Sequence, residues 1–319
     1  MYGSGSVSLI LTVDARRWGA HVAHTWAEHP GVIPVVKGNG YGLGRAFLAR
    51  VARRRGARYV AIGTVHELAG LPDGVTPVVL TPTARLAPGA AAGAVLTVAA
   101  PHHVTAAAAG GAAGVIVEVA SSMHRYGADA PGVRTLLDAA HRAGVPVVAA
   151  GIHLPLAGTD AERAREVAAW RDRLPAGLPL WASHLDAADV FSLGADRPVV
   201  QRIGTRLWLG DKTFFHLGTD VVAVEPVEAG TPCGYRQVPV PAAGSVVVVG
   251  AGTAHGVRTL DDGRSPFHHA RRRLALVEPP HQHVSLLFVP AGEPCPRPGE
   301  AIDVQRPLTE VRPDEITWR

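Results

Sequence analysis

Residues 32–44 read Val32-Ile33-Pro34-Val35-Val36-Lys37-Gly38-Asn39-Gly40-Tyr41-Gly42-Leu43-Gly44. An apolar, β-branched run of this length suits a strand buried on both faces of a parallel sheet. The run ends on Lys37, one of only two lysines in the chain, and passes straight into a loop with glycine at every second position. Glycine lets backbone amides approach a ligand closely and adopts conformations closed to other residues. A lysine at the C-terminal end of such a strand is placed to act as a nucleophile and form a Schiff base. Burial there is expected to disfavour the charged amine and lower its pKa.

Outward from this stretch, short apolar runs alternate with alanine-rich segments of helical character. The strands expected are Val32–Lys37, Tyr59–Gly63, Pro77–Thr81, Ala94–Val98, Gly114–Val119, Val145–His153, Leu178–Ser183 and Val199–Ile203. Helices are expected between them, the clearest at Asp160–Leu174 with Asp160 as its cap. About eight βα units in succession predict a closed (β/α)8 barrel, an α/β fold. The run Leu9–Val13 is then surplus to the barrel. After Lys212 the pattern changes to short β-rich runs separated by Pro and Gly, at Val221–Val227, Val238–Val240, Ser245–Val249, Arg273–Val277, Val284–Val289 and Ala301–Val304. This predicts a smaller all-β domain. The expected division is 1–215 for the barrel, with strand 8–13 joining the other domain, and 216–319 for the β domain.

At 319 residues and 47% hydrophobic composition the chain can bury a large core. The basic clusters Arg53-Arg54-Arg55 and Arg271-Arg272-Arg273 lack the interleaved aromatics of a nucleic-acid surface, so no nucleic-acid partner is expected. Cys233 and Cys295 are too few for a disulfide framework or a four-ligand zinc site. No basic n-region precedes an apolar stretch near Met1, and no run approaches a membrane span; a cytoplasmic protein with no membrane contact is expected.

The ten residues from Val35 to Gly44, VVKGNGYGLG, resemble the pyridoxal-phosphate lysine motif of alanine racemases, VVKANAYGHG. Met123-His124-Arg125-Tyr126-Gly127 resembles that family's GMGRLG, and Arg202-Ile203-Gly204-Thr205 its R-x-G-[IT]. The resemblance implies a barrel that binds pyridoxal 5'-phosphate and a β domain that includes the first strand. It also implies a head-to-tail homodimer in which each site is completed by the partner. Lys37 would form the Schiff base and carry the Cα proton of a small amino acid on one face. Arg125 would bind the substrate carboxylate and the phenolic oxygen of the cofactor. Arg202 would donate to the pyridine nitrogen and, because arginine keeps its proton, hold that nitrogen unprotonated. Tyr41 and the amides of Gly204 and Thr205 would hold the phosphate.

This chain departs from the family at several positions. The family's second base is a tyrosine within GYADGY; here the segment is Gly252-Thr253-Ala254-His255-Gly256-Val257. His255 is the nearest titratable substitute, and His283 stands close to the substrate entrance in the family's arrangement. His281 and His283 would share a face if their segment were extended, though no third ligand suggests a metal. Glu118 replaces a lysine that is carbamylated in many racemases and is expected to orient Arg125. The histidine that packs on the cofactor aligns with Pro155, so His153 is expected to substitute for it; the phosphate-binding serine aligns near Asp186, so Ser183 is expected to serve instead. The function expected is a pyridoxal-phosphate-dependent amino-acid racemase or isomerase. The alternatives are a decarboxylase or one-base enzyme of the same barrel class, or a cofactor-binding regulatory protein without turnover.

Overall fold

The computed structural model describes residues 8–186, 188, 190, 193 and 199–319. It divides into two compact units, His21–Gly210 and the described residues up to Ala20 with Asp211–Arg319.

The first unit is built on eight parallel strands: β2 (Ile33–Pro34), β3 (Tyr59–Ile62), β4 (Thr76–Val79), β5 (Val95–Val98), β6 (Gly114–Glu118), β7 (Val147–Ile152), β8 (Leu180–Ala182) and β9 (Val199–Ile203). Each pairs with its neighbours in chain order, and β9 returns to β2. A parallel bridge between Val35 and Ala61 joins β2 to β3, so the sheet closes into a barrel. One side chain from nearly every strand meets in a central layer, formed by Ile33, Val35, Ala61, Val78, Val95, Ile116, Ala149 and Trp181. All five residues of β6 are buried, as expected for a strand covered on both faces.

The helices around the barrel are α1 (Ala15–Glu28), α2 (Arg45–Arg54), α3 (Pro101–Ala109), α4 (Ala130–Arg142), α5 (Asp160–Arg173) and the short α6 (Thr205–Leu209). The expected helix between every pair of strands is not present. Between β3 and β4 there is only a single 3-10 turn at Val65–Glu67, and the link from β4 to β5 is helix-free. Pro72 and Gly74 in the first link, and Pro82, Pro88 and Gly89 in the second, break any helical run. The crossover between β8 and β9 includes residues outside those described. The cap of α5 is Thr159 rather than Asp160: its hydroxyl accepts from the Glu162 amide while Glu162 reaches back, a closed capping box.

The second unit is antiparallel in the main. Its strands are β1 (Leu9–Val13), β10 (Phe215–Val227), β11 (Pro232–Cys233), β12 (Val238–Pro239), β13 (Gly244–Val249), β14 (Phe267–His269), β15 (Arg272–Arg273), β16 (Ala275–Leu276), β17 (Ser285–Pro290), β18 (Ala301–Val304) and β19 (Glu315–Trp318). The order β15-β14-β18-β10-β13-β17-β16 runs through β10, whose register shifts between Val221 and Ala223 so that one strand serves two sets of partners. β1 pairs antiparallel with β10 and parallel with β19. Its alternation places Leu9, Leu11 and Val13 in the interior, each fully buried, with Ile10 and Thr12 half-buried between them.

Because β1 contributes three buried side chains to this core, Leu11→Ala is expected to destabilise the β unit by about 2–5 kcal/mol, the usual cost of a core leucine truncation. A urea midpoint that stays at the wild-type value would mean that β1 is not part of that core.

Candidate functional site

The C-terminal ends of the barrel strands gather the charged and polar groups. Lys37 follows β2, Arg125 lies in the loop after β6, His153 follows β7, Ser183 and His184 follow β8, and Arg202 sits near the end of β9. Burial depresses the His153 pKa from 6.5 to about 3, and the charges that add to the effect are, in order, Arg202, Arg125, His184 and Lys37. These groups therefore surround His153. His184 is held below its ordinary value in the same way, first by burial and then by Arg163, Lys37 and Arg202. The two imidazole rings meet edge to face, 5.1 Å apart.

Lys37 is exposed, contrary to the expectation that the strand would bury it. The strand ends one turn too early: Val35 and Val36 are inside, bonded to Ile203 and Ala61, and the backbone then leaves the barrel through Gly38. Glu67 fastens the start of that loop, accepting from Gly38 N (3.2 Å) and Gly63 N (2.8 Å). The buried Trp208 indole donates to Val35 O at 2.8 Å, pinning the strand beside Lys37.

Tyr41, in the middle of the glycine loop, is 5% exposed and takes a left-handed φ of 57°. Burial raises its hydroxyl pKa to about 12, so it stays protonated. That hydroxyl lies where a side chain on Gly204 would begin, only 1.9 Å from an added Cβ. The structure thus brings Tyr41 and Gly204 together, with Thr205 following as the first residue of α6. Ser183 is elsewhere engaged: it is buried, its Oγ shares a 2.9 Å hydrogen bond with His153 Nδ1, and it accepts from Leu154 N at 3.4 Å.

Arg202 is 6% exposed and Glu118 is 2% exposed. Arg202 donates through one terminal nitrogen to Ile152 O at 2.7 Å, and the other lies 3.5 Å from Glu118 Oε2. Glu118 thus faces Arg202 rather than Arg125, because β6 and β9, with two strands between them in the sheet, both send these side chains into the barrel mouth. Gly151, directly opposite Glu118 in the register, leaves the room; a Cβ there would come within 2.3 Å of the carboxylate. Arg202 Nε is buried and has no partner, and Glu118 Oε2 makes no hydrogen bond.

These features suit a planar, anionic cofactor such as pyridoxal 5'-phosphate. A buried guanidinium donor lacks an acceptor. A glycine-lined cradle lies under a protonated phenol. An exposed amine stands at the strand end.

The β unit places its histidines differently from the sequence expectation. His255 is 8% exposed, its Nδ1 accepts from Gly252 N at 3.1 Å, and its Nε2 faces Asp314 Oδ2 at 3.3 Å. With Nδ1 accepting, the ring proton sits on Nε2, so both nitrogens are committed. His281 and His283 do not share an extended face, since their segment is a bend with His281 N bonded to Val284 O. His281 is ion-paired with the buried Glu278, whereas His283 is exposed. Among the described residues no cluster of three or more metal-ligating side chains is present, and no helix is long and apolar enough to cross a membrane.

Two further groups at the strand ends escape sequence reasoning, His184 and Tyr126. A left-handed backbone at His184 (φ 61°) has no local signature, and Tyr126 sits where the resembling motif has leucine.

A family model described as the alanine racemase N-terminal domain matches residues 15–192. Among solved structures, alanine racemase from Bartonella henselae with covalently bound pyridoxal phosphate is 17% identical, with a TM-score of 0.75 over 98% of this chain and 99% of that one. Alanine racemase from E. faecalis is 16% identical, with a TM-score of 0.72 over 100% of both chains. That from Streptomyces coelicolor A3(2) is 19% identical, with a TM-score of 0.67 over 98% of both. At these identities the structural likeness concerns the fold. No curated protein matches the chain.

Replacing Glu118 with Gln leaves the Arg202 charge buried without its counter-ion, and is expected to cost about 3–5 kcal/mol in urea unfolding. Adding Arg202→Met should recover part of that loss; no recovery would mean the two side chains are not coupled. The neutral His153 makes a second prediction. Its folded pKa lies below the unfolded value, so the unfolded chain binds more protons in acid. Its contribution to stability is complete above pH 6.5 and is lost as pH falls toward 3. The stability difference between wild type and His153→Asn should therefore shrink over that range. A constant difference would show that His153 is protonated in the folded protein.

Proposed function

The chain belongs to the alanine racemase family defined by its N-terminal domain, and on that premise we propose that it is a pyridoxal-phosphate-dependent racemase or isomerase of a small amino acid. The observation that carries the reading is the buried Arg202 guanidinium, fixed by Ile152 and Glu118 with one donor left unpartnered at the strand end beside the Lys37 loop.

When bound, the cofactor would supply the aldehyde and electron-withdrawing ring that acidify the substrate Cα–H. In this reading Lys37 would be the residue that holds the cofactor and that carries the Cα proton on one face of the substrate. Arg202, with a buried donor unpartnered, would face the ring nitrogen and, as a permanent cation, would not protonate it. That restraint favours proton return at Cα over decarboxylation. The Tyr41 hydroxyl and the amides of Gly204 and Thr205 hold the phosphate. His153, neutral throughout the physiological range, packs without adding a further charge, and Ser183 fixes its orientation. Arg125 orients the substrate carboxylate. The opposing base comes from the β domain of a second copy in a head-to-tail homodimer. His283, exposed, is the better placed of the two candidate histidines, because His255 has both nitrogens committed.

That commitment also supports a second reading, in which only the Lys37 face is active. The protein is then a one-base enzyme, or a cofactor-binding protein without turnover.

Borohydride reduction of the cofactor-loaded protein should fix the label on the Lys37 peptide. Label on Lys212, or on neither lysine, would defeat the assignment. Loaded protein in heavy water with a panel of L- and D-amino acids should exchange the Cα proton and invert the centre, and Lys37→Ala should abolish both. Exchange with retained chirality selects the one-base enzyme. No exchange with the label in place selects the non-catalytic reading.

A further inference from the structure

The loop from Ala120 to Gly127 is a strap fastened on both sides of the barrel mouth. Its ends are tied to each other by Ala120 N to Ala128 O (2.8 Å) and Ala128 N to Glu118 O (2.9 Å). Gly127 makes that closure possible: at φ 144° it passes so close to Val119 that a Cβ would lie 2.4 Å from the Val119 carbonyl oxygen. On one flank Ser121 Oγ donates to His153 O at 2.6 Å, and both the amide and the hydroxyl of Ser122 donate to Glu166 on α5 at 2.7 Å. On the other flank the Tyr126 hydroxyl donates to Leu80 O, just past β4, at 3.0 Å. Tyr126 is half-buried, and its pKa is raised first by burial, with Arg125, Glu118 and Arg202 the charges acting on it.

Arg125 is exposed, and its guanidinium lies over the Tyr126 ring, 4.3 Å from the centroid. Among the described residues it makes no hydrogen bond or ion pair. This distinguishes it from Arg202, which donates to the Ile152 carbonyl and is ion-paired with Glu118. An aromatic face attracts a cation electrostatically without accepting its N–H bonds in the plane of the guanidinium. The arrangement thus localises the cation while leaving its donor fork free for a bidentate partner, the geometry a carboxylate requires.

We propose that Tyr126 is a positioning residue for substrate binding: anchored on Leu80, it is the shelf that holds Arg125 ready for the α-carboxylate of an amino acid. The role of Arg125 rests on the function proposed above; the shelf itself does not.

The test uses the full-length, cofactor-loaded protein, with propionate as a carboxylate probe that cannot react. Nuclear magnetic resonance should find the Arg125 δ-methylene protons shifted upfield by the Tyr126 ring current. The shift should persist in Tyr126→Phe and vanish in Tyr126→Leu. Calorimetric affinity for propionate should fall by about 3–30-fold in Tyr126→Leu, the range spanned by cation–π contacts from exposed to desolvated. In Tyr126→Phe, which keeps the ring and loses only the Leu80 anchor, it should stay within about threefold of wild type. If amino acids turn over, Tyr126→Leu should raise KM more than it lowers kcat. An absent ring-current shift in the wild type overturns the shelf. A shift present with unchanged propionate affinity in Tyr126→Leu overturns the positioning role, as does a wild type that binds no propionate. If both effects appear but no amino acid exchanges its Cα proton, the proposed reaction fails and the shelf stands.

Discussion

The barrel mouth is organised around one buried ion pair, Glu118 with Arg202, both almost wholly removed from water. Burying two charges costs several kcal/mol per ion unless geometry offsets it. The offsets here come from the backbone register. Glu118 lies opposite Gly151, the residue that leaves space for the carboxylate, and the next residue along, Ile152, supplies the carbonyl for the guanidinium. A slip of one residue in β6 or β9 would turn either charge toward the outside of the barrel. The pair thus requires the strand register that also positions His153, Ser183 and Lys37 at the strand ends.

The pair also shapes the electrostatics above it. Glu118 compensates Arg202, but Arg125, Lys37 and the other cations still act on His153, which burial already keeps neutral. The mouth is therefore cationic at fixed arginines and uncharged at its histidine. Such a surface favours anionic groups, and burial keeps His153 from adding to its charge near neutral pH. The two arginines divide the work by how they are held. Arg202 is clamped by polar partners inside the barrel, with one donor spare. Arg125 is held by an aromatic face at its rim, with its whole fork available.

Much of the barrel was legible because buried parallel strands leave a strong local signature. Runs such as Gly114–Val119 and Val199–Ile203 are rich in β-branched residues, with a polar residue or two near their ends, and each corresponds to a strand. The β unit was less legible: Phe267–His269 and Glu315–Trp318 were not expected as strands, β10 begins at Phe215 and not at Val221, and two-residue strands such as Arg272–Arg273 carry no periodicity to detect. What could not be read is set by long-range packing. No local pattern says that Lys37 is exposed, that Glu118 turns to Arg202 instead of Arg125, or that Ser183 bonds His153. Each depends on where a neighbouring strand ends. The missing helices after β3 and β4 follow from prolines and glycines that were visible, but whose weight against an expected βα repeat was underestimated. The bend that separates His281 from His283 likewise depends on a contact with Val284 rather than on alternation.

In the segment Gly252–Val257 a buried histidine ring takes a structural part. His255 does not point a free nitrogen outward. Its ring is a brace, tying Gly252 N–H on one side to Asp314 on the other, and Asp314 in turn accepts the Leu9 amide at 2.8 Å. Gly256 completes the turn at a left-handed φ of 77°, where a Cβ would lie 2.0 Å from Glu310 O. A ring used in this way has exchanged proton mobility for rigidity, since protonating Nδ1 would break the bond to Gly252. Both ring nitrogens of His255 are thus employed in holding the β unit together. His281 is likewise held, by Glu278, whereas His283 is exposed.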